Sequence, residues 1–165
     1  MSAAKALRKS SDQGRRHAHP RDSWTAPAFT SKIPALKSKT VDDYVEFIEK
    51  QKTKYFGINV DFSVFQDHPV PMFEGQDMST MHFSAVEEFV PLLPYTLVCH
   101  AKFVNMTDDF VETTTPYDKI VGLLIKHGWD GYLLSEYEGV DRATGGAFAA
   151  VRKQHVMLKR LLGEG

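Results

Sequence analysis

Three runs of mostly apolar residues in this chain each end in a side chain that can bind a metal ion. Gly57–Asp61 ends in an aspartate, Thr96–His100 in a histidine and Tyr132–Glu136 in a glutamate, and gaps of 39 and 36 residues separate these side chains. Each gap has the length of one strand–helix–strand step. The carboxyl ends of successive parallel strands meet on one face of a sheet, where ligands bind. One Asp, one His and one Glu at that face provide mixed oxygen and nitrogen ligands, which predicts a divalent metal site.

The composition is that of a chain able to build one domain with a sizeable core, since 42% of its 165 residues are hydrophobic. A net charge of −1 predicts no general affinity for nucleic acid or for an anionic membrane. No apolar run is long enough to span a bilayer or to serve as a secretory signal. The single cysteine, Cys99, fits a reducing compartment, so we expect a cytoplasmic location.

The first part of the chain differs in charge from the rest. Residues 1–39 carry nine Lys and Arg against Asp12 and Asp22, a net charge of +7, which leaves −8 for residues 40–165. Residues 1–30 are rich in Ser, Pro and basic residues and lack periodicity, which predicts a disordered basic tail followed by one domain over residues 31–165. His17 and His19 lie in this tail, where solvated side chains are a simpler interpretation than a metal-binding pair.

From residue 40 onward the pattern predicts helices that alternate with strands. The predicted helices are 40–52, 84–94, 115–128 and 148–162; the predicted strands are 55–62, 96–103 and 129–136, preceded by a remnant strand at 29–34. Thr40 and Ser84 each begin a sequence that resembles a capping box, and Thr115 is the predicted N-cap of the third helix. Residues 66–81 are a predicted long loop. This order predicts an α/β fold with a parallel sheet.

The predicted core lies between the helices and one face of this sheet. Its expected members are Phe47, Ile48, Ile120, Leu124, Val151 and Leu158 from the helices, and Ile58, Val60, Leu97, Cys99 and Leu133 from the strands. The predicted apolar stripe of the last helix is Val151, His155, Leu158, Leu161 and Leu162.

Two long stretches, 116–139 and 151–162, resemble the end of a sugar phosphate isomerase/epimerase of the xylose-isomerase-like TIM-barrel superfamily. Residues 98–103 are similar to its seventh strand and residues 55–62 to its sixth, so the resemblance covers roughly residues 34–165. A complete barrel needs about 250 residues. The implied fold is therefore the C-terminal half of a barrel, either a fragment or a half-barrel completed by another chain, for which a second copy is one candidate.

The resemblance also implies a site. In that family a divalent metal is held by a Glu on the fourth or fifth strand, an Asp on the sixth, a His on the seventh and a Glu on the eighth. Asp61, His100 and Glu136 match the last three, and the first Glu has no counterpart. The implied metal is Mn, Mg, Co or Zn, the implied substrate is a sugar or sugar phosphate, and Glu136 would also be the catalytic acid/base of an enediolate reaction. The epimerase branch has a His where this chain has Val64, which counts against a ketose 3-epimerase.

Each candidate ligand also has a plainer interpretation. Asp61 is a strand-end residue that could cap the next turn. His100 could be a hydrogen-bonded core histidine. Glu136 could pair with Arg142 instead of a metal ion, since an unpaired carboxylate at that place is costly to bury.

Lys102 lies two residues after His100, hence on the same strand face. Its ammonium could contact a substrate oxygen or phosphate in a catalytic role, or it could pair with Glu136 or Glu138. Glu138 shares the face of Glu136, and we expect it to support the site rather than to bind the metal.

Two classes of function follow. The first is a divalent-metal-dependent sugar isomerase/epimerase, or a lyase-like relative acting on oxidised sugars. The second is a non-catalytic half-barrel that serves as a binding or assembly module. An endonuclease IV-like nuclease is disfavoured, because such sites gather several histidines at strand ends and only His100 qualifies here.

Overall fold

A computed structural model describes residues 29–33, 41–53, 55–71, 75–80 and 83–164, with only the backbone for residues 29–33 and 80. Most of the predicted tail, including His17 and His19, lies outside the described residues, as does the predicted cap at Thr40. Among the described helices, none is both long enough and apolar enough to cross a bilayer.

The described residues form one sheet of four parallel strands, β1 (Phe29–Ile33), β2 (Phe56–Asp61), β3 (Thr96–Phe103) and β4 (Tyr132–Tyr137). The strands lie side by side in chain order. Three α-helices accompany them: α1 (Val41–Lys50), α2 (Tyr117–Lys126) and α3 (Gly146–Leu161). The predicted α/β fold with parallel strands is confirmed, and the remnant strand is β1, which begins inside the stretch predicted as tail.

The two faces of the sheet differ in burial mainly at β4, since Asn59, Asp61 and Lys102 on the face opposite the helices are also buried. On the face that packs against the helices, Ile58, Cys99 and Ala101 have no exposed surface. On the opposite face, Tyr132 and Leu134 of β4 are 54% and 48% exposed. Helices that cover one face of a sequentially ordered parallel sheet are arranged as in a barrel wall, whereas a doubly wound sheet is covered on both faces.

The second predicted helix forms as consecutive 3₁₀ turns over Val86–Tyr95 rather than as an α-helix. Pro91 and Pro94 lie inside it, and proline removes an N–H donor and clashes with the α-helical geometry of the preceding turn. The expected capping box is shifted by one residue: Glu88, not Glu87, accepts the hydrogen bond, from the backbone N–H of Ala85 at 3.2 Å. The predicted loop 66–81 contains one short 3₁₀ turn, Met78–Thr80, and includes residues outside the described part.

The start of α2 also differs from the prediction. Pro116 occupies the cap position, and no side chain caps the helix. The backbone N–H groups of Thr114 and Thr115 bind instead to the carboxylate of Glu112, at 2.7 and 2.5 Å. A carboxylate just before a helix can accept hydrogen bonds from backbone N–H groups that have no partner within the helix, and its negative charge interacts favourably with the positive end of the helix dipole.

Most of the predicted core is confirmed. Ile48, Ile120, Leu124, Leu158, Ile58, Val60, Leu97 and Cys99 are buried. Val151 and Leu133 are only partly buried. Phe47 was wrongly placed: it is 46% exposed and meets Phe56 edge-on at its surface.

The buried stripe of α3 is rotated relative to the predicted one. Its buried residues are Ala150, Gln154, Met157 and Leu158. The prediction weighted apolar residues and therefore passed over Gln154, which has no exposed surface at all.

Candidate metal centre

The three predicted ligands lie together at the carboxyl ends of β2, β3 and β4. Asp61 is the register partner of His100, and Glu136 on β4 pairs with Lys102, two residues further along β3. One potential ligand atom from each of Asp61, His100 and Glu136 can be chosen so that all three lie within 4.8 Å of one another. Strand order and the two-residue repeat of the pleat place these side chains on the sheet face opposite the helices.

Asp61 takes part in two kinds of interaction. Its Oδ1 accepts hydrogen bonds from the backbone N–H and the hydroxyl of Ser63, at 3.0 and 2.8 Å, and so begins the 3₁₀ turn Phe62–Phe65. Its Oδ2 lies 3.2 Å from Nζ of Lys102. The turn-capping interpretation of Asp61 is therefore correct, and the residue nevertheless presents its second oxygen to the site.

His100 and Glu136 are direct partners. Nδ1 of His100 lies 2.6 Å from Oε2 of Glu136, and about a quarter to a third of each side chain is exposed. His100 is thus a hydrogen-bonded histidine, as its plainer interpretation required, but its partner is another candidate ligand. Arg142 is not the partner of Glu136: its guanidinium donates to the backbone carbonyls of Glu138 and Gly139.

Lys102 lies among three carboxylates. Its Nζ is 3.0 Å from Glu138, 3.2 Å from Asp61 and 3.4 Å from Glu136. Burial of the side chain by itself lowers its pKa, but the charges of Asp61, Glu138 and Glu136 more than offset this and raise the pKa above the usual value. The pairing interpretation of Lys102 is therefore observed, and it includes Asp61, which the sequence did not indicate. Glu138 contacts Lys102 and stands outside the candidate ligand set.

The helices hold the end of β3 from behind. Nε2 of Gln154 on α3 donates to the carbonyl of Ala101 at 2.7 Å and to the hydroxyl of Tyr117 at 2.8 Å. That hydroxyl in turn donates to the carbonyl of Lys102 at 3.1 Å. All of these groups are buried, so α2 and α3 hold the backbone of β3 at Ala101 and Lys102, next to the candidate site.

Glu112 fixes the loop that follows β3. Its buried carboxylate accepts hydrogen bonds from the backbone N–H groups of Val104 and Asn105, in addition to those of Thr114 and Thr115. Sequence reasoning missed this residue. The available signal was an acid shortly before a helix start. Gln154 had no such signal, because a glutamine inside a helix is usually exposed.

The donor set fits a divalent ion. Ligand atoms at about 2.0–2.3 Å from one ion are at most about 4.6 Å apart, so a set within 4.8 Å needs only small movements. Two carboxylates and an imidazole suit Mn, Mg, Co or Zn. Among the described residues, no fourth acid or histidine joins the set. Val64, which the sequence resemblance set against an epimerase histidine, is buried in the 3₁₀ turn after β2.

Comparison with known proteins shows two similar proteins, both deglycosidase subunits. The chain is 32% identical over 81 residues to the C-glycoside deglycosidase alpha subunit of Arthrobacter globiformis. It is 29% identical over 79 residues to the 3'-dehydrocarminate deglycosidase alpha subunit of a Microbacterium species. Each match covers 47% of this chain and 23% of the relative, so it spans less than a quarter of the relative's length.

No family model matches the chain. The similarity is therefore to part of a sugar-processing protein, over about half of this chain: the chain resembles the alpha subunits of deglycosidases.

Proposed function

We propose that this chain provides the metal-binding half of a sugar-processing enzyme that acts on a carbonyl-containing sugar through an enediolate. The observation that carries the proposal is the convergence of Asp61, His100 and Glu136 at the carboxyl ends of three adjacent parallel strands. The names of the two relatives support a sugar substrate. One name denotes a dehydro compound, that is an oxidised one, which favours a lyase-like reaction on an oxidised sugar over simple isomerisation.

The chemistry requires a base beside a site that stabilises negative charge. When a proton leaves the carbon next to a carbonyl group, the electron pair of the C–H bond forms a C=C bond and the oxygen gains negative charge. A divalent ion held by the three ligands would stabilise that charge. Glu136 would accept the proton, since its carboxylate lies at the strand end with 30% of the side chain exposed.

The fate of that proton distinguishes the reactions. Return to the opposite face of the same carbon epimerises the sugar, return to the former carbonyl carbon isomerises it, and loss of a substituent from the adjacent carbon makes the reaction an elimination. The similarity to deglycosidases favours elimination, in which the departing group takes up the proton.

Metal binding is the first test. Isothermal titration with Mn²⁺, Mg²⁺ and Zn²⁺ should show binding by the wild type and a loss of at least about tenfold in affinity in His100→Ala. His127→Ala is the matched control, because His127 is exposed at the end of α2. Equal affinity in the wild type and His100→Ala would contradict the proposed centre.

Turnover is the second test. With three protein ligands among the described residues, we expect the chain alone to bind metal weakly and to turn over sugars slowly or not at all. Any turnover should disappear in Glu136→Gln and persist in Glu87→Gln, whose side chain is exposed. Robust turnover by the chain alone would show that three ligands suffice.

A second candidate function, a non-catalytic assembly module, is favoured by the sheet face opposite the helices. Tyr132 and Leu134 on that face are about half exposed, and the buried Oδ1 of Asn59 on β2 has no hydrogen-bond partner among the described residues. β1 and β4 are the edges of the described sheet. A second copy would place β4 of each chain beside β1 of the other and close eight parallel strands.

Light scattering tests this second candidate. A dimer is expected, and Leu134→Ser should weaken it, whereas Val140→Ser should not, because Val140 is 97% exposed and lies beyond the strand. A monomer at all concentrations would exclude this candidate.

A further inference from the structure

We infer that Lys102 is a permanent counter-cation of this site. Its ammonium group competes with a divalent ion for Asp61 and Glu136, and Glu138 holds it beside them. The inference rests on the proposed metal centre and concerns what sets its affinity. It assigns Lys102 to the control of metal binding and Glu138 to the positioning of Lys102.

The first support is the position of the ammonium group. Its nitrogen lies 3.2 Å from Oδ2 of Asp61 and 3.4 Å from Oε1 of Glu136, which are carboxylates of the candidate ligand set. A cation at that distance from two ligand carboxylates repels a second cation that approaches them. Lys102 therefore already interacts with two of the carboxylates to which a metal ion would bind.

The second support is burial. The side chain of Lys102 is only 9% exposed, and that of Asp61 only 3%. A surface lysine could swing into water at little cost when a metal ion arrives, whereas movement of Lys102 away from the site would leave Glu138 and part of the charge of the buried Asp61 without a counter-charge. We therefore expect Lys102 to stay in the site and to share it with the ion.

The third support is the charge balance. Asp61, Glu136 and Glu138 contribute three negative charges around Lys102, and its ammonium contributes one positive charge, so these four side chains together carry −2. One divalent ion offsets the charge of these four side chains. Without Lys102 the group would carry −3, which attracts metal more strongly but leaves the loaded site negatively charged and less able to stabilise an enediolate.

Glu138 is suited to hold the ammonium when the ion is bound. Its Oε1 accepts a hydrogen bond from Lys102 Nζ at 3.0 Å, the shortest of the three contacts. Glu138 lies outside the group of candidate ligands. It can therefore keep Lys102 while Asp61 and Glu136 turn to the ion.

The experiment measures Mn²⁺ affinity by titration and by the electron paramagnetic resonance signal of free Mn²⁺. Lys102→Met and Lys102→Gln should each bind Mn²⁺ at least about tenfold more tightly than the wild type, because one nearby positive charge is gone. Lys102→Arg retains the charge and should stay near the wild type. Lys153→Met is the control for net charge, since Lys153 pairs with the exposed Asp108 away from the site.

Glu138→Gln tests the positioning role. Loss of the Glu138 charge should weaken Mn²⁺ binding, because the ammonium group of Lys102 then pairs only with Asp61 and Glu136. The same substitution in Lys102→Met should have a clearly smaller effect, because there is no ammonium left to position. Equal effects in both backgrounds would overturn the role assigned to Glu138.

The outcomes separate this inference from the proposed function. Wild-type binding that is lost in His100→Ala but unchanged or weaker in both neutral Lys102 variants would overturn the counter-cation alone. Binding that appears only in the neutral Lys102 variants would support it strongly. Absence of binding in the wild type and in both neutral variants would overturn both proposals.

Discussion

The carboxylate of Asp61 and the backbone N–H of Ser63 are joined by a hydrogen bond of 3.0 Å, which turns the chain from β2 into the following 3₁₀ turn. The other oxygen of the same carboxylate lies 3.2 Å from Lys102. One side chain thus ends a strand and forms part of the candidate site. Because the two oxygens have different partners, the structural role of Asp61 and its proposed role in metal binding can be measured separately.

Asp61→Asn should separate those roles. The amide oxygen can still accept from Ser63, so we expect the fold to be retained, whereas the lost charge should weaken metal binding by about 10–100-fold. Asp61→Ala should lose both the metal affinity and the cap, with an additional cost of about 0.5–2 kcal/mol in the free energy of unfolding. Titration with Mn²⁺ and urea unfolding measure the two effects. Equal metal affinity in Asp61→Asn and the wild type would remove Asp61 from the ligand set.

Leu124 tests the core between α2 and the sheet. It is 1% exposed, and Leu124→Ala should lower the free energy of unfolding by about 2–5 kcal/mol through lost burial and the cavity that remains. Its neighbour Ile125 is 43% exposed, so Ile125→Ala is the matched control and should have a much smaller effect. Urea unfolding of both variants gives the comparison. Similar costs at the two positions would mean that the face of α2 has been misassigned.

Glu112 should be important for stability although it lies outside the site. Its carboxylate binds four backbone N–H groups and the hydroxyl of Thr114. Glu112→Gln replaces one acceptor oxygen with a donor that faces other donors, so we expect a loss of at least about 1.5 kcal/mol. Glu87→Gln, on an exposed residue, is the control. Thermal unfolding that shifts equally in both variants would contradict the anchoring role of Glu112.

Titration of Tyr137 should make the free energy of unfolding depend on pH in the alkaline range. Partial burial, followed by the hydrogen bond to Asp141, raises the pKa of Tyr137 to about 12 from a usual value of 10.0. The folded state therefore favours the neutral phenol. Its contribution to stability is fully present below pH 10 and is lost as the pH rises through 12. Urea unfolding at a series of pH values should show a shallower decline over this range in Tyr137→Phe than in the wild type or in the control Tyr132→Phe. Identical declines would exclude this linkage.

Local patterns in the sequence were sufficient for much of the fold. The alternation of apolar residues in 56–62 and 96–103 depends only on the two-residue repeat of a strand, and both strands formed with parallel pairing. The spacing of Asp61, His100 and Glu136 predicted their convergence, because strand ends in a parallel sheet meet at one edge. The same patterns failed where a side chain binds the backbone of a turn, as at Glu88, which accepts from the N–H of Ala85, and at Glu112, which accepts from four backbone N–H groups.

The sequence by itself therefore determined the order of the elements, the direction of the strands and the edge at which the three candidate ligands lie, since these follow from short-range periodicity and from strand geometry. Only the tertiary structure decided how those side chains are paired. Lys102 contacts Asp61, Glu136 and Glu138 across three strands, and Gln154 is buried beneath Ala101 although its position in α3 gave no sign of it. The physical reason is that partner choice depends on distances between residues 34 or more positions apart in the chain, which are set when the strands and helices pack.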